Sequence, residues 1–569
     1  MTRPAGRSGS LYFDYPYFNF TRPPEMDGIL RRHAVVVVGA GPVGVTAALE
    51  LARHGVAAVV IDDKDTVNDG SRAICIARHS LEGLQQLGLA ERFTAKGLGW
   101  THGTSYYRGE PVFRLEMPHS TDERFPPMLN LQQQYIEQFL IEHAQDQPLI
   151  DLRWQTRLLA LDRHAEGVDL RVATPAGEYA LEAAYVIAAD GARSVARQSL
   201  GLRLEGAAHE GRYVIVDVRM RSAYPTERRA FFDCPGNPGA TILVHRQPDD
   251  IWRIDYQLDA GEDEQSALAE ATIRARVGAI IEMLGESEPW ELEWWSVYKA
   301  YTLCLDEYRH GRVLFCGDSA HLVPIFGVRG LNSGFADVLN IGWKLAYVLR
   351  GLAPPALLNS YTLERRGATL DIFAQATKST RFMTPPTRGY RLLRDATLAL
   401  AARHDFARRL LDPRQSQPYT YSASALTTHS ADEDSFASGP AAGAALVNRR
   451  CADGSFLLDH LGRGFTVLYF SDEGRVPAAL ATAVAQLAVG DEVPRVLVLV
   501  AGPMPNSDCL VDGGSVFAAY DARPGSCYLV RPDRHVCARW RTLDAHGLNE
   551  AFTRALGGSA HDDERFIRH

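Results

Sequence analysis

Two short, widely separated segments carry residues whose types and spacing could do chemistry. In the first, Gly39, Gly41 and Gly44 follow the run Val35–Val38, and Asp62 closes the next apolar run, 57–61. Gly39 permits a tight turn, Gly41 lets backbone approach a pyrophosphate, and Gly44 lets a helix pack closely on the strand. A helix over 42–53, begun by Pro42 and Val43, would aim its unpaired N–H groups and partial positive charge at phosphates. A carboxylate at Asp62 can take ribose hydroxyls, so strand, turn, helix and acid together read as an ADP site. The second segment, Val313-Leu314-Phe315-Cys316-Gly317-Asp318-Ser319-Ala320-His321, is another apolar strand ending in a Gly-Asp turn. A buried carboxylate at Asp318 would accept hydrogen bonds from a polyol. An ADP end and a polyol end point to FAD rather than NAD.

These segments need an α/β frame. Strands and helices alternate from 34 to about 205, and strand-then-helix texture returns over 312–350. Between 209 and 299 the strands 212–220, 229–232, 240–245 and 252–257, separated by turns, predict an antiparallel sheet. Residues 1–33 form an aromatic arm (Tyr12, Phe13, Tyr15, Tyr17, Phe18, Phe20) expected to pack on the body. Helical, arginine-rich sequence runs to about 411. Residues 415–442, rich in Ser, Thr, Ala and Pro, read as a linker. Beyond it, strands at 465–470, 495–500, 516–520 and 527–531 predict a small separate α/β domain. The expected partition is therefore 1–33 arm, 34–208 and 300–376 cofactor-binding domain, 209–299 inserted sheet, 377–436 helices and linker, and 437–569 tail domain.

Composition narrows the function. The 569 residues are 46% hydrophobic, enough for several large cores, and a net charge of −9 gives no support to nucleic-acid binding. The eight cysteines show no CxxC pair and no metal-ligand spacing, which fits reduced cytoplasmic thiols better than disulfides or zinc. Arg31-Arg32 before an uncharged run superficially matches a twin-arginine signal, but the run is too short and glycine-broken for export or a membrane span.

The motifs resemble the single-component FAD-dependent aromatic hydroxylases, nearest the 3-(3-hydroxyphenyl)propionate and resorcinol type. Besides the glycine turn, the resemblance rests on Ala189-Asp190-Gly191-Ala192-Arg193-Ser194 with Arg197, and on Gly317-Asp318 through Pro324 to Gly330-Leu331-Asn332. It implies a Rossmann-like FAD-binding domain, an inserted antiparallel substrate sheet and, from Asp521–Gly525 and Leu529–Asp533, a thioredoxin-like tail lacking CxxC. Asp190 then lies near the pyrophosphate, Arg72 near the flavin phosphates, and Gln133 contacts FAD. The helix opened by Gly330-Leu331-Asn332 would stabilise negative charge on the reduced flavin. His321 is placed equally for packing or for flavin contact. Arg329 stands where the family has a smaller residue, near the expected flavin edge, and Asp63 replaces an arginine common after the ribose acid.

The activity that the resemblance implies is that of an NAD(P)H-dependent monooxygenase, hydroxylating a phenolic or related electron-rich ring with O2 through a flavin hydroperoxide. There is no second glycine fingerprint, as in relatives where NAD(P)H docks transiently. The partners are a small aromatic substrate and O2, with no nucleic acid and no membrane, and a homodimer is compatible. An epoxidase or halogenase on the same fold, or a non-catalytic flavin-binding protein, remain alternatives. The substrate-activating residue is not legible: His245, Tyr256 and Tyr298 are the side chains the sheet offers.

Overall fold

In the computed structural model, which describes residues 9–29, 31–259, 261–324, 327–411, 417–504, 509–542 and 544–558, the valine run becomes the buried β1 (Arg32–Val38) of a parallel sheet. Its neighbours are β2 (Ala58–Ile61) on one side and β3 (Gly177–Ala188) on the other. The strands Ile150–Arg153 and Val313–Phe315 extend the parallel order on the two sides, and Arg309–His310 adds a short antiparallel edge beyond the latter. Strands buried on both faces read as continuous β-branched runs, which is why Val35–Val38 and Val59–Ile61 are uninterrupted. Helix α1 (Pro42–Arg53) starts with Pro42 in its first turn and Gly41 as N-cap. It packs against the 20-residue α2 (Gly330–Leu349) so closely that a Cβ on Gly342 would lie 2.5 Å from Glu50 Cγ.

The second sheet is built on β4 (Glu205–Met220), β5 (Arg228–Cys234), β6 (Asn237–Arg246), β7 (Ile251–Gln257) and β8 (Trp290–Cys304), in the spatial order β8-β4-β7-β6-β5. These pairings are antiparallel, as expected. The sheet is not confined to 209–299, however. His102–Tyr107 pairs parallel with β5 and Glu110–Glu116 extends that edge, while His321–Leu322 closes the other edge. The alternation in β4, β6 and β7 buries Val214, Val216, Val244, Trp252 and Ile254 under the helix Glu270–Met283. The opposite face meets the parallel-sheet body.

The aromatic arm is docked: Phe13 is buried, and Phe18 stacks on Trp154 with ring centroids 4.2 Å apart. Two expectations for the tail are corrected. The segment 516–520 is not a strand. Asp512 accepts hydrogen bonds from the backbone N–H groups of Gly514, Ser515, Val516 and Phe517, and this caps the helix Val516–Ala519. The other correction concerns the stretch read as a linker; Gln415 and Ser416 lie outside the described residues, but 417–442 is a docked strap. Tyr421, Leu426 and Phe436 are buried, Tyr421 stacks on His535, and Thr428 N–H donates to the Cys537 carbonyl. Its serines and threonines satisfy buried groups instead of solvating a tether.

The tail shares a core with the body: Trp343, Tyr347, Leu352 and Leu357 pack with Phe465, Leu480, Leu529 and Phe552. Beside that core, Glu364 of α3 (Ser360–Met383) accepts from Lys344 Nζ at 2.6 Å and from Arg531 NH1 and NH2 at 2.6 and 2.9 Å, all fully buried. Desolvation would raise the Glu364 carboxyl, but Arg531 and then Lys344 outweigh it and hold the group well below the usual carboxylate range.

Removing one partner of a buried ion pair costs about 3–5 kcal/mol. Arg531→Met is therefore expected to lower unfolding free energy by about that amount, measured by chemical denaturation. Because the folded pKa of Glu364 is depressed, its stabilisation is complete above its unfolded value of about 4.3 and is lost as pH falls below it. Glu364→Gln should flatten the acid limb of the stability profile, and an acid limb identical to wild type would contradict this.

Candidate functional site

The glycine turn has the geometry its spacing demands. Gly39 sits at φ +103°, and a Cβ there would lie 2.5 Å from the Ala189 carbonyl oxygen. A Cβ on Gly44 would lie 1.8 Å from the Gly39 carbonyl oxygen, while one on Gly41 would meet nothing within 4 Å. Gly41 is thus the point where backbone is open to a ligand. Asp62, at the end of β2, accepts from Ala40 N–H at 2.6 Å and from Lys64 N–H at 2.9 Å, which fixes its carboxylate beside the turn with lone pairs to spare. Val43 fills the space between α1 and the second motif: Cβ atoms on Gly317 and Gly334 would lie 3.1 and 2.5 Å from its Cγ2.

The Gly317-Asp318 turn is suspended from a buried carboxylate. Asp337, one turn into α2 beyond its first, accepts from Gly317 N–H at 3.0 Å, from His321 Nε2 at 2.7 Å and from Arg365 Nε at 2.7 Å. Burial works against its charge, but His321 and Arg365 keep its carboxyl below the usual range. His321 is therefore committed to this network. Asp318 itself differs from expectation: its side chain is exposed and makes no hydrogen bond among the described residues, with His321 and Arg72 near enough to act on its charge. The Arg72 guanidinium is likewise exposed and unpaired among the described residues. An exposed acid and an exposed arginine within electrostatic reach of each other can take a polyol and a phosphate.

The other expected residues divide into ligand-facing groups and struts. Asp190 accepts from Ala196 N–H at 3.0 Å, while its Oδ1 is buried without a partner. Arg197 donates to Ser319 O at 2.9 Å and Ala192 O at 2.6 Å, joining that segment to the Gly317 turn. Gln133 opens the helix Gln133–Gln145; its Oε1 accepts from Arg72 and Ala73 N–H at 3.2 and 3.0 Å and its Nε2 donates to Glu137, so its side chain chiefly holds the arginine loop. Asn332 is a strut too, accepting from Ala77 N–H at 2.8 Å and donating to Cys75 O and Val328 O. With Gly330 and Leu331 it opens α2, whose first-turn N–H groups lack intrahelical partners and have no side-chain cap. Pro324 is buried just before Ile325 and Phe326, which lie outside the described residues. Arg329 is buried and donates to Ile372 O at 3.1 Å.

Sequence reasoning missed Asp337, Arg365 and Arg253. Arg253 forms a two-pronged pair with Asp217, 2.8 Å at each contact, and donates to the Ser71 and Arg72 carbonyls, so the antiparallel sheet grips the arginine loop. One signal was present: Asp337, Asn340 and Lys344 make a polar stripe on an otherwise apolar helix.

An open pyrophosphate turn, a ribose acid, an unpaired Asp318 and Arg72, and an uncapped helix start are the groups that FAD needs. The fold and these groups define an FAD-binding oxidoreductase. Residues 32–376 match the FAD binding domain family, and the chain belongs to it. It is 27% identical over 531 residues to a 3-(3-hydroxy-phenyl)propionate/3-hydroxycinnamic acid hydroxylase of Mycolicibacterium gilvum, covering 92% of this chain and 91% of the relative. It is 28% identical over 359 residues to para-nitrophenol 4-monooxygenase of a Pseudomonas species, covering 61% and 86% of the two chains. Among solved structures it is similar to the flavin-dependent monooxygenase PieE in complex with FAD and substrate, with a TM-score of 0.75 at 24% identity over 92% of this chain and 99% of that one.

A carboxylate that holds a polyol makes charge-assisted hydrogen bonds worth about 1.5–3 kcal/mol. Asp318→Ala is expected to weaken FAD binding on the order of tenfold or more, without loss of fold. Titration of the apoprotein with FAD, alongside circular dichroism, checks this; unchanged affinity in a folded variant would remove Asp318 from the cofactor site.

Proposed function

We propose that the protein hydroxylates a phenolic or related electron-rich aromatic ring, using NAD(P)H and O2. When bound, FAD supplies the redox chemistry, accepting hydride from the nicotinamide and activating oxygen for transfer to the ring. The observation that carries the reading is the polar face of the antiparallel sheet, which Arg253 ties to the arginine loop. The length over which hydroxylases match, nine-tenths of the chain, supports it further.

The chain's own contribution is binding, orientation and exclusion of water. Gly39, Gly41, Pro42, Val43 and Gly44 cradle the pyrophosphate, Asp62 takes the adenosine ribose, and Asp318 with Arg72 takes the ribityl and phosphate groups. Asp190 lies along the same channel. The α2 start, presented by Pro324, Gly330, Leu331 and Asn332, offers N–H groups where negative charge develops on the ring system. Gln133 and Gly317 act by shaping the walls. A sheet lid matters because a reactive oxygen species open to water is wasted as hydrogen peroxide.

The domain partition belongs to the same reading, with the arm, cofactor body, substrate sheet and tail as its parts. A parallel strand-helix-strand unit (Thr466–Ser471, Ala478–Gln486, Arg495–Val500), followed by the hairpin Cys527–Val530 and Val536–Trp540 and the helix Ala545–Ala555, supports a thioredoxin-like tail. Its Cys527 is buried, with its thiol pushed up to about 12 by desolvation, which favours a structural role over redox chemistry. A cytoplasmic location is part of the same reading. No helix among the described residues is long and apolar enough to cross a membrane. A homodimer is part of the proposal and is read by light scattering.

The test is a panel of phenols, including 3-(3-hydroxyphenyl)propionate and 4-nitrophenol, offered to the FAD-loaded protein. At least one is expected to stimulate NAD(P)H oxidation and to gain one oxygen atom by mass. Retention of FAD with no stimulated oxidation across the panel would favour a non-catalytic flavin-binding protein, and oxygen entering an alkene instead of a ring would favour an epoxidase.

A further inference from the structure

The sheet face turned toward the cofactor body carries a polar set that cofactor binding does not use. Alternation along β5, β6 and β7 puts Arg228, His245, Arg253 and Asp255 on that face. The register sets Arg228 opposite His245, His245 opposite Arg253, and Asp255 between Leu243 and Ile215. Arg253 is satisfied by Asp217 and the arginine-loop carbonyls. Arg228 and Asp255 are not. Asp255 is buried, and its Oδ1 is sealed from solvent without a hydrogen-bond partner. Arg228 makes no hydrogen bond or ion pair among the described residues, although its charge is felt by both Asp255 and His245. A sealed carboxylate oxygen without a partner is costly unless a ligand completes it, and the half-buried Arg228 guanidinium is open to the same ligand.

Cys75 ties this chamber to the cofactor cleft. It borders Arg228, and its carbonyl accepts from Asn332 at the start of α2. We propose that Asp255 is the base that takes the proton of a phenolic substrate and that Arg228 holds the resulting oxyanion. The phenol O–H bond breaks, the proton passes to the Asp255 carboxylate, and the electron pair stays on the substrate oxygen beside the guanidinium. The negative charge makes the ring carbons richer in electrons, which is what an electrophilic oxygen donor needs. The inference rests on the hydroxylase reading above and adds to it the two residues that ionise the ring's hydroxyl and hold its charge.

The groups around Asp255 single it out as the acceptor. Those facing it are Arg253 on its own strand, Asp217 and Tyr213 from β4, Arg228 from β5 and His245 from β6, with Cys75 behind Arg228. Desolvation, joined by Asp217 and opposed by Arg253 and Arg228, pushes the Asp255 carboxyl up to about 7. A base is most effective when its pKa lies near the working pH. His245, by contrast, is pushed down to about 3 by desolvation and the neighbouring arginines, so its neutral ring holds a proton poorly. Burial pushes the Cys75 thiol up to about 12 and raises the Tyr213 phenol, and neither releases its own proton near neutrality. Tyr256 points to the opposite face, and Tyr298 donates its hydroxyl to the Val323 carbonyl at 2.9 Å.

The test uses FAD-loaded wild type, Asp255→Asn, Asp255→Glu and Arg228→Met. The first measurement is binding, by flavin spectral change, of 4-nitrophenol and of nitrobenzene, its analogue without the hydroxyl, between about pH 6 and 9, the range in which a carboxyl near 7 titrates. Wild type should prefer 4-nitrophenol to nitrobenzene across this range, and Arg228→Met should lose about tenfold of that preference with little change for nitrobenzene. The second is turnover of whichever weakly acidic phenol wild type hydroxylates. Asp255→Asn should fall about 100-fold near pH 7 and recover as pH rises, while Asp255→Glu keeps most of the rate. An Arg228→Met variant that keeps the full phenolate preference, or an Asp255→Asn variant with the wild-type pH profile, overturns the proposal. Absence of turnover in wild type alongside an intact Arg228-dependent preference would count against the hydroxylase reading instead.

Discussion

The carboxylate of Asp337 is the constraint on which the cofactor cleft depends. Fully buried, it survives as an anion because Gly317 N–H, His321 and Arg365 surround it. Those three partners belong to a turn, a strand and a helix, so one charge fixes the mutual position of three elements. The turn it suspends is the one that presents Asp318 to the cleft. A buried carboxylate stripped of even one such partner is a liability of several kcal/mol, which makes the arrangement unforgiving and therefore well defined.

The same network runs outward. Arg365 also donates to the Tyr421 hydroxyl at 3.0 Å, and Tyr421 stacks on His535, which neighbours the Arg531–Asp533 pair. Arg531 in turn neutralises Glu364, one residue from Arg365 on α3. The cofactor turn and the tail are thus joined by adjacent residues of one helix. The tail completes a charge balance that the body begins, and the strap between them carries hydroxyls where a free tether would carry only solvent-facing polar groups.

Much of the cofactor frame is legible in the sequence because local chemistry fixes it. A glycine at φ +103° and another that would collide with a carbonyl admit almost no alternative residue, and a fully buried parallel strand must be a β-branched run. The strap is not legible, because composition alone cannot distinguish serines that solvate a tether from serines that satisfy a buried glutamate. The 516–520 segment misleads because its β-branched and aromatic residues favour a strand, while the deciding group, Asp512, lies outside the apolar stretch. Asp255 is hidden for another reason. Flanked by Ile254 and Tyr256, it reads as an ordinary alternation of polar and apolar positions, and only the register of three strands shows that its polar side faces inward.

The separation of Glu364 and Arg531 by 167 residues has a consequence for synthesis. A chain emerging from the ribosome presents Glu364 and Lys344 long before the arginine that completes their balance exists. Until then α2 and α3 must either leave the pair wet or hold each other loosely, and the apolar face of Trp343 and Tyr347 stays open to water. Domains commonly fold as units, first part first; here the first part lacks its buried charge balance until the last is made. A nascent chain stalled before residue 531 would expose both an apolar face and an uncompensated acid, the signature by which quality-control factors recognise an unfinished protein.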